Sequence, residues 1–203
     1  MITIVDYGMG NLGSIQNMLK KIGVNSEISS SVATIESAER IILPGVGSFD
    51  KAISNLESLG LIEPIKKKAA EGTPILGICL GMQLLANGSE EGKLPGLGII
   101  PGKVVRFHVS GTMKIPHMGW NVVKYKEKCP LYTGFDDLEE VRFYFVHSYH
   151  YTCDHEEDSV GTTTYGNDFT SSIQRQNVYG AQFHPEKSHR YGMRLLKNFS
   201  ELC

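Results

Sequence analysis

The chain has 203 residues, 41% of them apolar, enough for one domain with a substantial buried core. Its 20 basic side chains face 22 acidic ones for a formal charge of −2, and no basic block is longer than Lys66-Lys67-Lys68, so nucleic acid is not an expected partner. There is no run of about eighteen apolar residues, and the cysteines (Cys79, Cys129, Cys153, Cys203) form no C-x-x-C pair; neither a membrane span, a disulfide framework nor a zinc site is expected.

The chain begins on the strand-like Ile2-Thr3-Ile4-Val5 without a basic leader, from which a cytoplasmic protein is expected. A strand over Ile2 to Asp6 is followed by a predicted helix over Asn11 to Lys20 and strands over Val24 to Ile28 and Arg40 to Leu43. One helical stretch then runs from about Ala52 to Glu71, before a strand over Pro74 to Ile78. This alternation predicts a mostly parallel sheet with helices on both faces. Loops at Asp6-Tyr7-Gly8, Pro44-Gly45-Val46-Gly47 and Gly77-Ile78-Cys79 follow the strands, at the carboxyl ends where open α/β sheets bind ligands. From about Gly102 the strand-like runs shorten: Val104 to Phe107, Val122 to Tyr125, Arg142 to Val146, Phe169 to Gln174 and Val178 to Gln182. They predict added, partly antiparallel strands, and Tyr191 to Phe199 predicts a closing helix. With no repeat or linker, residues 1–203 read as a single α/β domain.

Cys79 stands in Gly77-Ile78-Cys79-Leu80-Gly81-Met82-Gln83, between an apolar strand and a helix-like stretch. A lone cysteine is most often a small buried hydrophobe. Glycines two residues to either side change that reading, because they are what a sharp strand-to-helix nucleophile turn requires. The N–H groups of a following helix end also favour negative charge there. Gln182-Phe183-His184-Pro185-Glu186 follows another strand and places an imidazole and a carboxylate close together. Cysteine, histidine and glutamate are the parts of a nucleophilic triad.

A motif of another class competes at the N-terminus. Gly8-Met9-Gly10-Asn11-Leu12-Gly13 satisfies G-x-G-x-x-G between a strand and a helix, with Glu27 further on, as in a dinucleotide fingerprint. It leaves Cys79, His184 and Glu186 unexplained, and Asp6 would set a carboxylate near the pyrophosphate. A tight turn built on glycine is the simpler reading. His147, His150, Cys153 and His155 lie near one another but meet no ligand spacing, so no metal is expected. These histidines, with His117 and Trp120, read as structural or surface residues.

The segments around Cys79 and His184 resemble the two signatures of the class I, triad-type glutamine amidotransferases. Asp6 to Asn11, Pro44 to Phe49, Pro116 to Asn121 and Tyr144 to Tyr149 narrow the resemblance to the glutaminase subunits of imidazole glycerol phosphate synthase, from Met1 to Phe199. The resemblance implies a flavodoxin-like fold and hydrolysis of glutamine through a cysteine thioester, with no cofactor. It implies Cys79 as nucleophile, His184 as base and then acid, and Glu186 as the group orienting the imidazole. It further implies an oxyanion hole from the N–H of Leu80 and the Val46-Gly47 segment, and glutamine held by Gly47, Gln83, Ser148 and Tyr149. Ammonia would pass to a separate cyclase subunit of (β/α)8 barrel type, with Asn11 and Lys187 at the interface, in histidine biosynthesis. A related glutaminase branch, supplying ammonia for amination of surface-polysaccharide sugars, fits the same motifs.

Overall fold

The structure, a computed structural model, describes every residue except 109, 110 and 112. The first part alternates strand and helix: β1 (Ile2–Val5), α1 (Leu12–Lys21), β2 (Ser26–Ser29), α2 (Val32–Ser37), β3 (Ile41–Leu43), α3 (Phe49–Ser58), α4 (Ile62–Ala70), β4 (Ile75–Ile78) and α5 (Leu80–Leu84). Strands dominate the rest: β5 (Gly88–Ser89), β6 (Gly102–Arg106), β7 (His117–Val122), β8 (Lys124–Tyr125), β9 (Arg142–His147), β10 (Tyr149–Cys153), β11 (Ser159–Tyr165), β12 (Asn167–Arg175) and β13 (Val178–Ala181). Helix α6 (His189–Leu202) closes the chain.

An 11-stranded sheet runs β2-β1-β3-β4-β13-β12-β10-β6-β5, with β11 on β12 and β8 on β11. From β2 to β13 every pairing is parallel. Beyond β13 the strands pair antiparallel, apart from the short β5–β6 contact. Alternate residues of the parallel strands face opposite layers, as a strand's period of two demands. Ile42 and Leu76 pack with Ile15 and Leu19 of α1 and Leu195, Leu196 and Phe199 of α6. Ile41, Leu43 and Ile75 pack with Phe49, Ala52 and Leu56 of α3 and Ile65 of α4 on the other face.

The structure departs from the sequence reading at several elements. The stretch from Ala52 to Glu71 is two helices, α3 and α4, because the chain turns through Gly60 at φ 67. The run Val122 to Tyr125 is split between β7 and β8. Helix α2 and strands β10 and β11 carry too little apolar periodicity to stand out alone; β11 is rich in threonine and is held by its ladder to β12. The sheet is mixed, with an all-parallel half running from the edge strand β2 to β13.

This topology sets the position of the site. Strands β4 and β13 are adjacent and parallel with Ile78 opposite Ala181, so Cys79 and the Gln182–His184 segment emerge from the same sheet edge. The N–H of His184 bonds the carbonyl of Tyr144 on β9 at 2.9 Å, and Phe183 stacks on Phe143 at 3.9 Å between ring centroids. Both contacts brace the histidine backbone.

Candidate active site

Cys79 sits at the junction of β4 and α5 with φ 54 and ψ −111. A left-handed conformation costs a non-glycine residue on the order of 1–3 kcal/mol and survives where its surroundings enforce it. Here the Cys79 N–H bonds the carbonyl of Ala181 at 2.7 Å, and its carbonyl accepts from the N–H of Gln83 at 3.2 Å. The flanking glycines permit the turn. A Cβ on Gly81 would lie 1.8 Å from the carbonyl oxygen of Leu43, and one on Gly77 would lie 2.7 Å from the backbone at Gly81 and Met82.

His184 Nδ1 lies 2.7 Å from Glu186 Oε1, and both side chains are only 2% exposed. A carboxylate accepts, so Nδ1 carries the proton and Nε2 is the reactive nitrogen. Nε2 has no hydrogen-bond partner among the described residues. Burial disfavours the imidazolium, but Cys79 and Glu186 together outweigh it and hold His184 up at about 10. The Ser188 hydroxyl donates to the His184 carbonyl at 2.6 Å and accepts from the Tyr144 N–H at 3.0 Å, fixing the backbone beneath the triad.

Cys79 and His184 open into one cavity of about 340 Å³, lined also by Val46, Gly47, Leu80, Gln83, Glu91, Pro116, Val146, His147, Ser148 and Tyr149. All the residues expected to bind substrate are thus brought together. The expected oxyanion donors are there but not deployed. The Leu80 N–H points to the carbonyl oxygen of Gly45 at 3.3 Å. Because a trans peptide sets its N–H opposite its carbonyl, the N–H of Val46 is directed away from that point.

Gln83 donates from Nε2 both to the Tyr149 carbonyl at 3.1 Å and to Gln182 Oε1 at 2.9 Å, leaving its own oxygen as the atom it can offer a ligand. Asn11 and Lys187 are exposed, and the Lys187 ammonium stands 5.8 Å from the Tyr144 ring centroid. The outward face of the β7–β9 ribbon pairs Met118 with Val146 and Trp120 with Tyr144. Met118 and Trp120 are 61% and 46% exposed, and Val46, which lines the cavity as does Met118's ladder partner Val146, is 43% exposed.

Three residues escape a reading of the sequence alone. Glu91 reaches the cavity from the β5–β6 connection, its carboxylate accepting from the Phe49 N–H at 3.0 Å; burial pushes its pKa up. His147 and His117 are buried, the structural of the two alternatives, and form a pair with Nε2 of His147 2.9 Å from Nδ1 of His117. His147 Nδ1 is 2.7 Å from the Tyr149 carbonyl, which can only accept; Nδ1 therefore carries the proton and His147 Nε2 accepts from His117. Burial lowers both pKa values, to about 4 for His117 and about 3 for His147, so both rings are neutral. No signal in the chain foretells this pairing, which is created by the β7–β9 register.

The glycines of the N-terminal turn have structural employment. Gly8 N–H bonds Asp6 Oδ1 at 3.0 Å, Gly10 packs against Pro44, and Glu27 accepts from the Thr3 hydroxyl at 3.1 Å.

The family model for glutamine amidotransferase class-I matches residues 3–202. A Methanococcus maripaludis protein named imidazole glycerol phosphate synthase subunit HisH 2 is 54% identical over 200 residues, 98% of each chain. A Sulfurimonas denitrificans protein named imidazole glycerol phosphate synthase subunit HisH is 52% identical over 205 residues, covering 99% of this chain and 98% of its own. A solved structure described as a glutamine amidotransferase superposes with a TM-score of 0.75 at 19% identity, covering 100% of this chain and 98% of the other, a likeness of fold. With the cysteine turn, the histidine–glutamate pair and the shared cavity in place, the chain belongs to the class I glutamine amidotransferase family.

Proposed function

We propose that this chain is the glutaminase subunit of an imidazole glycerol phosphate synthase, hydrolysing glutamine to glutamate and ammonia for histidine biosynthesis. The observation that carries the reading is the meeting of Cys79 and His184 in one cavity, with Glu186 hydrogen-bonded to the imidazole, in a chain 54% identical to a protein of that name. The Cys79 sulfur attacks the side-chain amide carbon of glutamine, and charge gathers on the amide oxygen. Protonated His184 gives its Nε2 proton to the nitrogen as the carbon–nitrogen bond breaks, releasing ammonia and leaving a thioester. Water then attacks the thioester, His184 takes up its proton, and glutamate leaves as the sulfur is freed.

The remaining lining residues suit an amino acid. The Glu91 carboxylate is complementary to an α-ammonium group, while the backbone at Gly47, Ser148 and Tyr149 suits the α-carboxylate and amide. Leu80 and Val46 supply the oxyanion donors once the Gly45–Val46 peptide turns over, each worth about a hundredfold in rate.

The receiving partner is a separate cyclase of (β/α)8 barrel type that docks over the cavity mouth. The exposed Val46, which lines the cavity, and the exposed Met118 and Trp120 on the ribbon that carries the cavity-lining Val146 support this placement, since exposed apolar and aromatic groups are what a partner buries. Asn11 and Lys187 form the polar margin of that interface. Contact with Val46 would let docking control the oxyanion peptide. The test is glutamate release by the purified chain alone, with a candidate cyclase, and with a candidate sugar-aminating synthase. Stimulation by the cyclase alone supports the reading; stimulation by the other synthase alone would overturn the assignment to histidine biosynthesis.

A further inference from the structure

Gln182 is fully buried, and its side-chain Nε2 lies 3.8 Å from the Cys79 sulfur, within the reach of an N–H···S contact. Its amide orientation follows from its neighbours. The Tyr149 carbonyl is an obligate acceptor, so the Gln83 amide must present nitrogen to it at 3.1 Å. The second hydrogen of that nitrogen reaches Gln182 at 2.9 Å, so the atom of Gln182 facing it must be oxygen. The Gln182 nitrogen is thereby turned toward the sulfur. The other hydrogen-bond partner of the sulfur among the described residues is the Val146 carbonyl at 4.0 Å, which can accept from a thiol but opposes a thiolate.

We propose that Gln182 is a further catalytic residue, whose side-chain N–H, locked by Gln83 and the Tyr149 carbonyl, stabilises the Cys79 thiolate that attacks substrate. The proposal rests on Cys79 being the nucleophile. Its chemistry is an electrostatic preference: an amide donor fixed against sulfur strengthens when the sulfur becomes anionic, and bonds to charged groups are the stronger ones. The same donor would leave the thioester sulfur, which is neutral, less firmly held.

The test reads the thiolate directly. The rate of iodoacetamide alkylation at Cys79, followed by peptide mass spectrometry to separate it from Cys129, Cys153 and Cys203, is measured against pH for wild type and Gln182→Met. Methionine preserves length and removes the donor. We expect the pH of half-maximal alkylation to rise by about one unit, with alkylation below that midpoint slowed about tenfold. A folded Gln182→Met protein with the wild-type midpoint would overturn the proposal. If the variant does not fold, the Gln182 side-chain amide signals of the wild type, followed by NMR, decide the question. A shift with the same midpoint as alkylation supports the contact, and signals indifferent to that titration refute it. Neither measurement uses glutamine turnover, so failure here is distinct from failure of the glutaminase reading, which glutamate release by the wild-type protein tests separately.

Discussion

The N–H of Leu80, the residue after Cys79, is engaged by the carbonyl oxygen of Gly45 at 3.3 Å. One peptide thus withholds two donors, since the Gly45 carbonyl covers Leu80 and the Val46 N–H on the same plane faces the other way. The chain alone should therefore turn over glutamine slowly. We expect its kcat to lie at least about a hundredfold below that of the complex, the worth of a single oxyanion donor. Steady-state glutamate release with and without the partner checks this, and equal rates would contradict it.

The imidazole of His184, held protonated by Cys79 and by Glu186, makes a prediction with a defined sign. The folded-state pKa is raised to about 10 from an ordinary 6.5, so the folded protein binds the extra proton between those values. The stabilisation is complete below about pH 6.5 and is lost as pH rises through about 10. Glu186→Gln removes the carboxylate that favours the imidazolium. Melting curves should show wild type losing more stability than the variant from pH 6.5 to 10, while glutamine turnover by the variant falls by about a hundredfold or more.

The buried histidines act in the opposite direction. His117 and His147 have folded pKa values lowered to about 4 and about 3, so below about pH 6.5 the unfolded chain takes up protons that the folded one refuses. Stability should fall as pH drops from 6.5 toward 4. His117→Asn, whose amide can replace the Nδ1 donor to His147, should flatten this slope in pH-dependent urea melts; an unchanged slope would count against burial as the cause.

Two glycines that look alike in the sequence should behave differently. Gly81→Ala drives a Cβ toward the Leu43 carbonyl, 1.8 Å away, and should cost about 3 kcal/mol or more. Gly13 lies in α1, and a Cβ there would meet nothing within 4 Å beyond its own helix backbone, so Gly13→Ala should stabilise by about 0.5–1 kcal/mol. Urea denaturation of both variants checks the contrast.

Trp120 is 46% exposed on the β7–β9 ribbon, stacked at 5.6 Å on His189. Trp120→Ala should leave the melting temperature of the isolated chain nearly unchanged while weakening cyclase binding by about tenfold or more. Calorimetric titration separates these effects, and undiminished affinity would move the interface away from this ribbon.

Much of this site is legible in the sequence because each signature is local. Cys79 and His184 each follow a strand, the glycines announce the turn, and Glu186 lies two residues from the imidazole it orients. The parallel half of the sheet is equally visible through its alternation with helices. What stays hidden depends on register. Glu91 enters through the β5–β6 connection, His117 meets His147 through the β7–β9 ladder, and Gln182 comes to face Cys79 only when β13 lies beside β4. The withheld donor of Leu80 depends on the orientation of one peptide plane, which residue identity does not specify.

The most direct test of the account is ammonia release from glutamine by the complex of this chain with its cyclase, comparing wild type with Cys79→Ala. We expect release by the variant to fall to background while the complex still forms and the cyclase still uses added ammonium. Release at the wild-type rate by the alanine variant would contradict the assignment of Cys79 as nucleophile.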